Sequence, residues 1–296
     1  MLFQNQSNNY CLPPSYPLRL KKWINNPRWD YLSANPHAIQ LLKENPQNIN
    51  WSWLSKNPNA IELIEDNLDK IEWSLLCANP GAIYILQKHP EKINWYFLSL
   101  NTAPGAIQLI EANIDRIDWS NLSTNSSAIH LLEANPEKID ISRLFSNSGA
   151  IHLIQKYFDK INCGMLKNLK WFYLSTNSSA IHIIEKEIKE NRSKMNSKIW
   201  MGILNNVKAV PIIEANPEHI YWEVLCGNPS AIHLIESAPV EQIFNTRSIY
   251  VNPAIFEYDY PAMTRQMNII REELFEKALH PDRVSKWFEF SGWDNF

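Results

Sequence analysis

The chain has 296 residues, a formal net charge of −3, and 33 asparagines and 12 tryptophans against only 7 glycines. The scarcity of glycine, together with the lack of G-x-G-x-x-G and G-x-x-x-x-G-K-[ST] patterns, argues against a glycine-rich phosphate loop. The near-neutral charge argues against a strong electrostatic footprint for nucleic acid or an anionic membrane.

Residues 1–17 are polar and contain prolines, which predicts a disordered or frayed N-terminus. They have neither a basic region nor an apolar core typical of a signal peptide. No apolar run along the chain reaches the roughly 18 residues that suggest a membrane span. The chain has four cysteines, and none of them is in a C-x-x-C motif, which is typical of reduced thiols. They are Cys11, Cys77, Cys163 and Cys226. We therefore expect an intracellular protein that does not bind a membrane.

A 22-residue repeat dominates the sequence, with the pattern W-x-x-L-S-x-N-P-x-A-I-x-L-L-E-x-N-P-x-K-I-[DN]. The repeat starts are Trp29, Trp51, Trp73, Trp95, Trp119, Ile141, Trp171, Trp200 and Trp222, with a decayed unit near Phe244. Residues 18–28 form a half-repeat that predicts an N-terminal cap, whose Trp23 and Ile24 would cover the first repeat. The repeats predict an all-α solenoid over residues 29–257.

An asparagine marks the middle of each repeat, followed by proline in several of them, as at Asn57-Pro58, and by serine in repeats five to seven, as at Asn125-Ser126. Asparagine is a favoured N-cap and proline a favoured first helical residue, so this pair predicts the start of a helix of about nine residues. A shorter helix of about six residues is expected to begin at the repeat's tryptophan, capped by Asn50 or its counterpart Asp118. Each repeat is therefore predicted to be a pair of short helices.

Length changes are confined to a few joints between repeats. The interval from Ile141 to Trp171 is 30 residues and that from Trp171 to Trp200 is 29. The extra residues fall around 163–170 and 189–197, where we expect bulging loops.

Helices this short are marginal alone, so their stability must come from neighbouring repeats. An alanine recurs before the Ile of each repeat, as at Ala128, and a small residue there lets neighbouring helices approach closely. Stacking nine or ten repeats at 8–10 Å per helix layer predicts a curved rod about 90 Å long.

The repeat period ends near Tyr258, and residues 258–296 are expected to form C-terminal capping helices. Met267, Ile270, Leu274 and Ala278 define an amphipathic helix from about residue 261 to 279. A last short helix is expected over 282–290, with Trp287 packing inward.

The repeat pattern resembles that of short-repeat proteins encoded by giant DNA viruses of the mimivirus type and their algal-virus relatives. The segments Tyr258–Tyr260, Arg271–Leu274 and His280–Trp287 also resemble a terminal segment common in such proteins. The resemblance spans residues 20–290 and implies a viral origin and a helical-repeat fold. It supplies no catalytic residues to carry over.

Histidine and glutamate recur three residues apart on the second helix, as in His130/Glu133, His182/Glu185 and His233/Glu236. Such pairs could bind a metal or move protons. They lie in different repeats, however, and cannot converge on one ion. Other repeats have unrelated residues at the histidine position, which favours a solvent-facing position instead. We therefore expect no metal site, no cofactor and no enzyme activity.

The variable position after Ala-Ile is the candidate interaction surface. Its occupants are Gln40, Glu62, Tyr84, Gln108, His130, His152, His182 and His233. Cys77 and Cys226 occupy a position that is serine in other repeats, so they are interpreted as small buried residues and not as nucleophiles. The tryptophans are expected to pack in the core, although exposed ones could stack on nucleic-acid bases.

A basic stretch between the seventh and eighth repeats is the candidate anion-binding patch, and it comprises Lys189, Arg192, Lys194 and Lys198. A solvated loop is the simpler interpretation. The leading hypothesis is a non-enzymatic scaffold that binds protein partners through an extended repeat surface. Nucleic-acid binding and a structural role in a virion are the alternatives, and an enzyme with an unrecognised site comes third.

Overall fold

The computed structural model describes residues 18–22, 24, 27–157, 165–191, 195–243 and 246–277. Two compact units divide the chain: one comprises Lys22–Ile255, and the other combines Met1–Lys21 with Phe256–Phe296. The expected frayed N-terminus over 1–17 and the expected last helix over 282–290 lie outside the described residues, as does Trp23.

The larger unit confirms the predicted all-α repeat architecture. The first helices of its repeats are α1 Trp29–Leu32, α3 Trp51–Leu54, α5 Trp73–Cys77, α7 Trp95–Leu98, α9 Trp119–Leu122, α11 Ile141–Leu144, α13 Met165–Thr176, α15 Ser197–Asn205, α17 Trp222–Leu225 and α20 Ser248–Val251. The second helices are α2 Ile39–Glu44, α4 Ile61–Glu65, α6 Ile83–Lys88, α8 Pro104–Glu111, α10 Ile129–Ala134, α12 Ile151–Tyr157, α14 Ile181–Asn191, α16 Val210–Glu214 and α18 Ile232–Ser237.

Short 3-10 turns and one further helix connect these elements. The 3-10 turns are Pro46–Asn48, Pro80–Ala82, Pro90–Lys92, Pro136–Lys138, Pro217–His219, Pro229–Ala231 and Pro253–Ile255. The additional helix, α19, is Val240–Ile243.

The residue before most first helices caps the helix with its side chain, as the sequence predicts for Asn50 and Asp118. Helices α1, α17 and α20 are preceded by Arg28, Tyr221 and Arg247, which make no such cap bond. The Asn50 Oδ1 accepts a hydrogen bond from the Trp53 amide at 3.1 Å, and the Asp118 Oδ1 accepts one from the Asn121 amide at 2.7 Å. Side-chain oxygens at this position satisfy amides that a helix start leaves without partners.

The asparagine before each second helix caps a turn, and the regular helix starts later than expected. The Asn57 Oδ1 accepts a hydrogen bond from the amide of Asn59, two residues on, at 3.1 Å. The α-helix then begins at Ile61 and ends at Glu65. The predicted nine-residue helix is therefore a capped turn followed by a shorter helix, because the asparagine folds the chain back onto its own side chain.

The amide group of the same asparagine joins neighbouring repeats. The Asn57 Nδ2 donates to the main-chain oxygens of Ser33 at 3.0 Å and of Asn35 at 2.8 Å, both in the preceding repeat. Equivalent pairs of bonds are made by Asn79, Asn101, Asn125, Asn147, Asn177, Asn206 and Asn228. These side chains are at most 1% exposed. One residue type therefore caps its own repeat and binds the previous one.

We call this series of asparagine bonds the asparagine ladder. It continues from the last repeat to the first, because the repeats close into a ring. The Asn252 Nδ2 donates to Cys226 O at 2.8 Å, and the Asn35 Nδ2 donates to Tyr250 O at 3.0 Å and to Asn252 O at 2.9 Å. Helix α20 accordingly packs against α17 on one side and α1 on the other. The expected curved rod is wrong, since the tenth repeat takes the place that an N-terminal cap would fill.

Ring closure requires a rotation of about 36° per repeat, which is a full turn divided among ten repeats. At several joints neighbouring first helices pack closely, as α5 does with α7 and α15 with α17, and no neighbouring second helices in the described ranges pack as closely. Since the spacing between repeats grows with distance from the ring axis, the first helices lie nearer the axis and the second helices form the outer circumference.

The core of the ring consists of the positions that the repeat pattern identifies. Leu54, Ala60 and Ile64 of the second repeat are fully buried, as are their counterparts in most other repeats. Repeats approach closely at the turn before the second helix. A Cβ on Gly81 would lie 2.8 Å from the Pro58 carbonyl oxygen of the preceding repeat, so a larger residue here would require the turn to shift.

The two long repeats differ from expectation in how they absorb extra residues. Helix α13 has 12 residues and α14 has 11, against four to eight in the corresponding helices of the first six repeats. Much of the added sequence therefore lengthens helices, where bulging loops were expected. Residues 158–164 and 192–194, at the same joints, lie outside the described residues.

In the smaller unit the described residues form a two-stranded antiparallel sheet and one long helix. Strand β1, Leu18–Leu20, pairs with β2, Phe256–Tyr258, and the Arg19 Nε donates to the Glu257 Oε1 at 3.0 Å. The predicted helical half-repeat over 18–28 is wrong, because its described residues form a strand and irregular structure.

Helix α21, Tyr260–Lys277, follows β2 and confirms the predicted amphipathic segment as a helix. The predicted apolar stripe is not covered, since Met267 is 61% and Ile270 is 45% exposed.

Candidate interaction surface

The predicted interaction residues form a belt on the second helices. We define the outer belt as Gln40, Glu62, Tyr84, Gln108, His130, His152, His182 and His233. All eight are exposed, and the second helices form the outer circumference of the ring. The repeat pattern therefore places these side chains on one continuous, solvent-facing surface.

Three belt histidines pair with a glutamate of the preceding repeat. The His130 Nε2 lies 2.7 Å from the Glu111 Oε1, and the His152 Nε2 lies 2.8 Å from the Glu133 Oε1. His233 makes the same contact with Glu214 at 2.8 Å. The observed partner thus lies on the second helix of the preceding repeat. The histidines are exposed, as the preferred interpretation of the sequence expects, and stacked second helices bring the histidine and glutamate positions together across the joint.

One joint uses the same positions with the charges exchanged. The Lys43 Nζ lies 2.8 Å from the Glu62 Oε2, across the joint between the first and second repeats. The hydrogen bond and the charge of Lys43 lower the pKa of Glu62 below its ordinary value.

Other belt residues make contacts within their own helix. The Gln40 Nε2 donates to the Glu44 Oε1 at 2.8 Å, and the Lys88 Nζ lies 4.3 Å from the centre of the Tyr84 ring. His182 lines a cleft of about 450 Å³ together with Trp171 and Lys186. Among the described residues, no group of three or more His, Cys, Asp or Glu side chains could hold a metal ion.

In the first five repeats the serine or cysteine of the first helix holds the last residue of its own repeat, just before the next first helix begins. The Ser55 Oγ donates to Trp51 O at 2.8 Å and accepts from the amide of Glu72, at the end of the same repeat, at 2.9 Å. The Cys77 Sγ accepts the amide of Asn94 in the same way at 3.2 Å. Cysteine therefore replaces serine as an acceptor of similar shape.

Burial raises the pKa of the Cys77 and Cys226 thiols above their ordinary value of 9.0. Both side chains are buried. A buried thiol that holds its proton is a poor nucleophile, which agrees with a structural role.

Among the repeat tryptophans, Trp51 and Trp119 have an ammonium group on one face of the ring. The Lys70 Nζ lies 4.9 Å from the Trp51 ring, and the Lys138 Nζ lies 4.7 Å from the Trp119 ring. The lysine belongs to the same repeat, in the turn that follows the second helix. These rings are half-buried and one face is in contact with an ammonium group, so they are poorly placed to stack on nucleic-acid bases.

The candidate anion patch is only partly described. Lys189 lies in α14 and Lys198 in α15, whereas Arg192 and Lys194 lie outside the described residues. Helix α14 also carries Glu185, Glu187 and Glu190, and the Lys186 Nζ lies 4.0 Å from the Glu190 Oε1. The interleaved acids offset the positive charge of this helix.

Sequence reasoning found the exposed belt but missed two sets of buried polar contacts. The asparagine amides bind the preceding repeat, and the serine hydroxyls hold the end of their own repeat against its first helix. Their signal was the recurrence of asparagine where aspartate or serine would cap a helix equally well.

No family model, curated protein or solved structure matches this chain. None of the helices in the described ranges is both long and apolar enough to cross a membrane.

Proposed function

We propose that the chain is a non-enzymatic, intracellular scaffold whose ring of helical repeats binds a protein partner on its outer belt. The supporting observation is the contrast between positions within one repeat. The buried asparagine and alanine recur from repeat to repeat, while the belt position carries Gln, Glu, Tyr or His. Stacked repeats that keep their core and vary their surface are typical of binding scaffolds.

The contact centre proposed here lies at Tyr84. Glu62, His130, His152 and His233 bridge repeats, so these belt side chains have a structural task. Tyr84, by contrast, is 42% exposed and carries a large apolar ring with a polar tip. Tyrosine is enriched at protein interfaces because it gives a large contact area with few rotatable bonds.

The resemblance to giant-virus repeat proteins supports the further proposal that the scaffold acts in a viral system. A structural component of a virion is one form that this role could take. The resemblance rests on the repeat pattern, and fold-level analogy of this kind supports a role only as a proposal.

Affinity purification with a tagged full-length chain tests the proposal. A specific partner should be retained by the wild-type chain and lost with Tyr84→Ala. The matched control is Tyr96→Ala, which removes an exposed tyrosine from a first helix, away from the outer belt, and should retain the partner.

Two results would overturn the proposal. One is a partner that is insensitive to Tyr84→Ala and to charge changes at the other belt positions. The other is salt-dependent retention of DNA or RNA in place of protein, which would support the nucleic-acid alternative.

A further inference from the structure

Helix α21 carries an apolar stripe whose middle residues are exposed to solvent. Met263, Met267, Ile270 and Leu274 follow one another at spacings of four, three and four residues. This alternation places the four positions on one face of a helix and is the pattern of a coiled-coil seam. Met267 and Ile270, at the middle of the stripe, are largely exposed. An exposed seam of this kind normally faces another helix.

The stripe is symmetric about the point between Asn268 and Ile269. A two-fold axis at this point places position 267 opposite position 270 of a second copy, and position 263 opposite position 274. In an antiparallel pair of these helices, each of the four apolar positions therefore lies opposite an apolar position of the second copy. Such self-complementarity is the requirement of a symmetric dimer contact.

Charge along the helix also favours the antiparallel arrangement. The half Tyr260–Asn268 carries Arg265 alone, a net charge of +1. The half from 269 to 277 carries two basic and three acidic residues, a net charge of −1. Antiparallel pairing sets these unlike halves against each other, whereas parallel pairing sets like against like.

We infer that α21 is a dimerisation helix, which pairs two copies of this chain through an antiparallel contact along positions 263, 267, 270 and 274. The inference is independent of the proposed binding function of the ring. A helix of 18 residues is about 27 Å long, so the two-helix contact falls at the low end of interface sizes. The dimer should therefore be weak and its population should depend on concentration.

Sedimentation velocity and light scattering of the full-length chain test the inference. The mass should rise from 34.5 kDa towards twice that value as the concentration increases from low micromolar to near millimolar. Met267→Glu and Ile270→Glu should each keep the mass at 34.5 kDa over the whole range, because they place a charge in the seam. Since both positions are exposed, neither change should lower the melting temperature of the chain.

Ile269→Glu is the matched control. Ile269 is also a large exposed apolar residue, at 56%, but it lies off the stripe. This variant should dimerise like the wild-type chain. The proposed seam would be overturned if Met267→Glu, Ile270→Glu and Ile269→Glu all abolished the dimer equally. It would also be overturned if all three variants kept the dimer.

Cysteine cross-linking with a mild copper–phenanthroline oxidant tests the direction of the two helices. In a chain with Cys11 and Cys163 changed to serine, a mixture of Met263→Cys and Leu274→Cys chains should form a disulfide dimer. Met263→Cys chains alone should not, because the antiparallel pair separates the two copies of this position by about 16 Å along the helix axis. Efficient cross-linking of Met263→Cys to itself would overturn the antiparallel arrangement. A chain that is monomeric at every concentration would overturn dimerisation itself.

Discussion

The side-chain amide of Asn35 donates a hydrogen bond to the main-chain oxygen of Asn252, at the opposite end of the repeat array, at 2.9 Å. The same bond joins Asn57 to Asn35 within the body of the repeats, at 2.8 Å. The joint between the last and first repeats is therefore made by the same contacts as the internal joints. His37 adds a contact there, with its Nδ1 3.0 Å from Pro253 O.

Asn125→Asp should destabilise the protein by about 3 kcal/mol, because it removes two donated hydrogen bonds and leaves buried carbonyl groups without donors. The affected oxygens belong to Ser99 and Asn101. Urea unfolding with an unchanged m-value measures the loss. Asn135→Asp is the control, since its amide bonds only Leu131 O of its own repeat, and it should cost about 1 kcal/mol. Equal costs for the two variants would contradict the proposed role of the ladder.

Asn35→Asp should open the ring at its seam. Hydrogen exchange should become faster in the first repeat and also over 248–255, because both sides of the joint lose the same bonds. Exchange at the joint of Asn125 should change less. If the amides of 248–255 keep their wild-type protection, the repeats do not close in solution.

Ala128→Leu should destabilise the protein by about 1–3 kcal/mol through overpacking. Ala128 is fully buried where two repeats meet, so a larger side chain must displace its neighbours. Thermal unfolding measures the effect as a lower melting temperature. Ala112→Leu, at an exposed position at the end of a second helix, should change the stability by less than about 0.5 kcal/mol. An unchanged melting temperature for Ala128→Leu would show that the repeat register is misassigned.

The thiols of Cys77 and Cys226 should react slowly with iodoacetamide while the chain is folded. Burial raises their pKa above 9.0, so little thiolate forms near neutral pH. In a chain with Cys11 and Cys163 changed to serine, the reaction should become fast only after unfolding in urea.

The same pKa shift makes a prediction for stability. A thiol whose pKa is higher in the folded state stabilises that state below pH 9.0, and the contribution falls as the pH rises above 9.0. Stability should therefore decline in this alkaline range, and less so in a Cys77→Ser, Cys226→Ser variant. Rapid alkylation of the folded chain at neutral pH would contradict the buried assignment.

Lys43→Glu should weaken the joint between the first two repeats, because it places two carboxylates together on the second helices. The double variant Lys43→Glu, Glu62→Lys restores opposite charges in reversed order and should recover most of the lost stability. The chain itself has acidic residues on the earlier repeat at other joints, as in Glu133 with His152. Urea unfolding of the two single variants and the double variant forms a cycle that isolates the pair. Additive effects would show that the pair has no coupling.

Local structure was predictable where one repeat determines it. The caps Asn50 and Asp118, the buried alanines and the exposed belt all follow from residue type and spacing within a single repeat. The ring was not predictable, because closure depends on the rotation between repeats. That rotation depends on how neighbouring repeats pack against each other, and the residue pattern within one repeat does not specify it. For this reason the prediction of a curved rod was wrong.

The belt was predictable as a surface but not in its pairing. The sequence places His130 and Glu133 on one helix face, and it also contains Glu111 in the preceding repeat. Choosing between these partners requires the distance between stacked helices. The role of Asn252 was hard to recognise from the sequence for another reason. The tenth repeat has lost its tryptophan and keeps only the asparagine and proline of the turn.

Closure has an evolutionary consequence for this chain. An open solenoid can gain or lose a whole repeat by gene duplication or deletion, because each new unit simply extends one end. Here an eleventh unit would separate Asn35 from Asn252 and would force every joint to adopt a smaller angle. The number of units is thereby fixed at ten, and variation is confined to substitutions and to lengthening of individual helices such as α13 and α14.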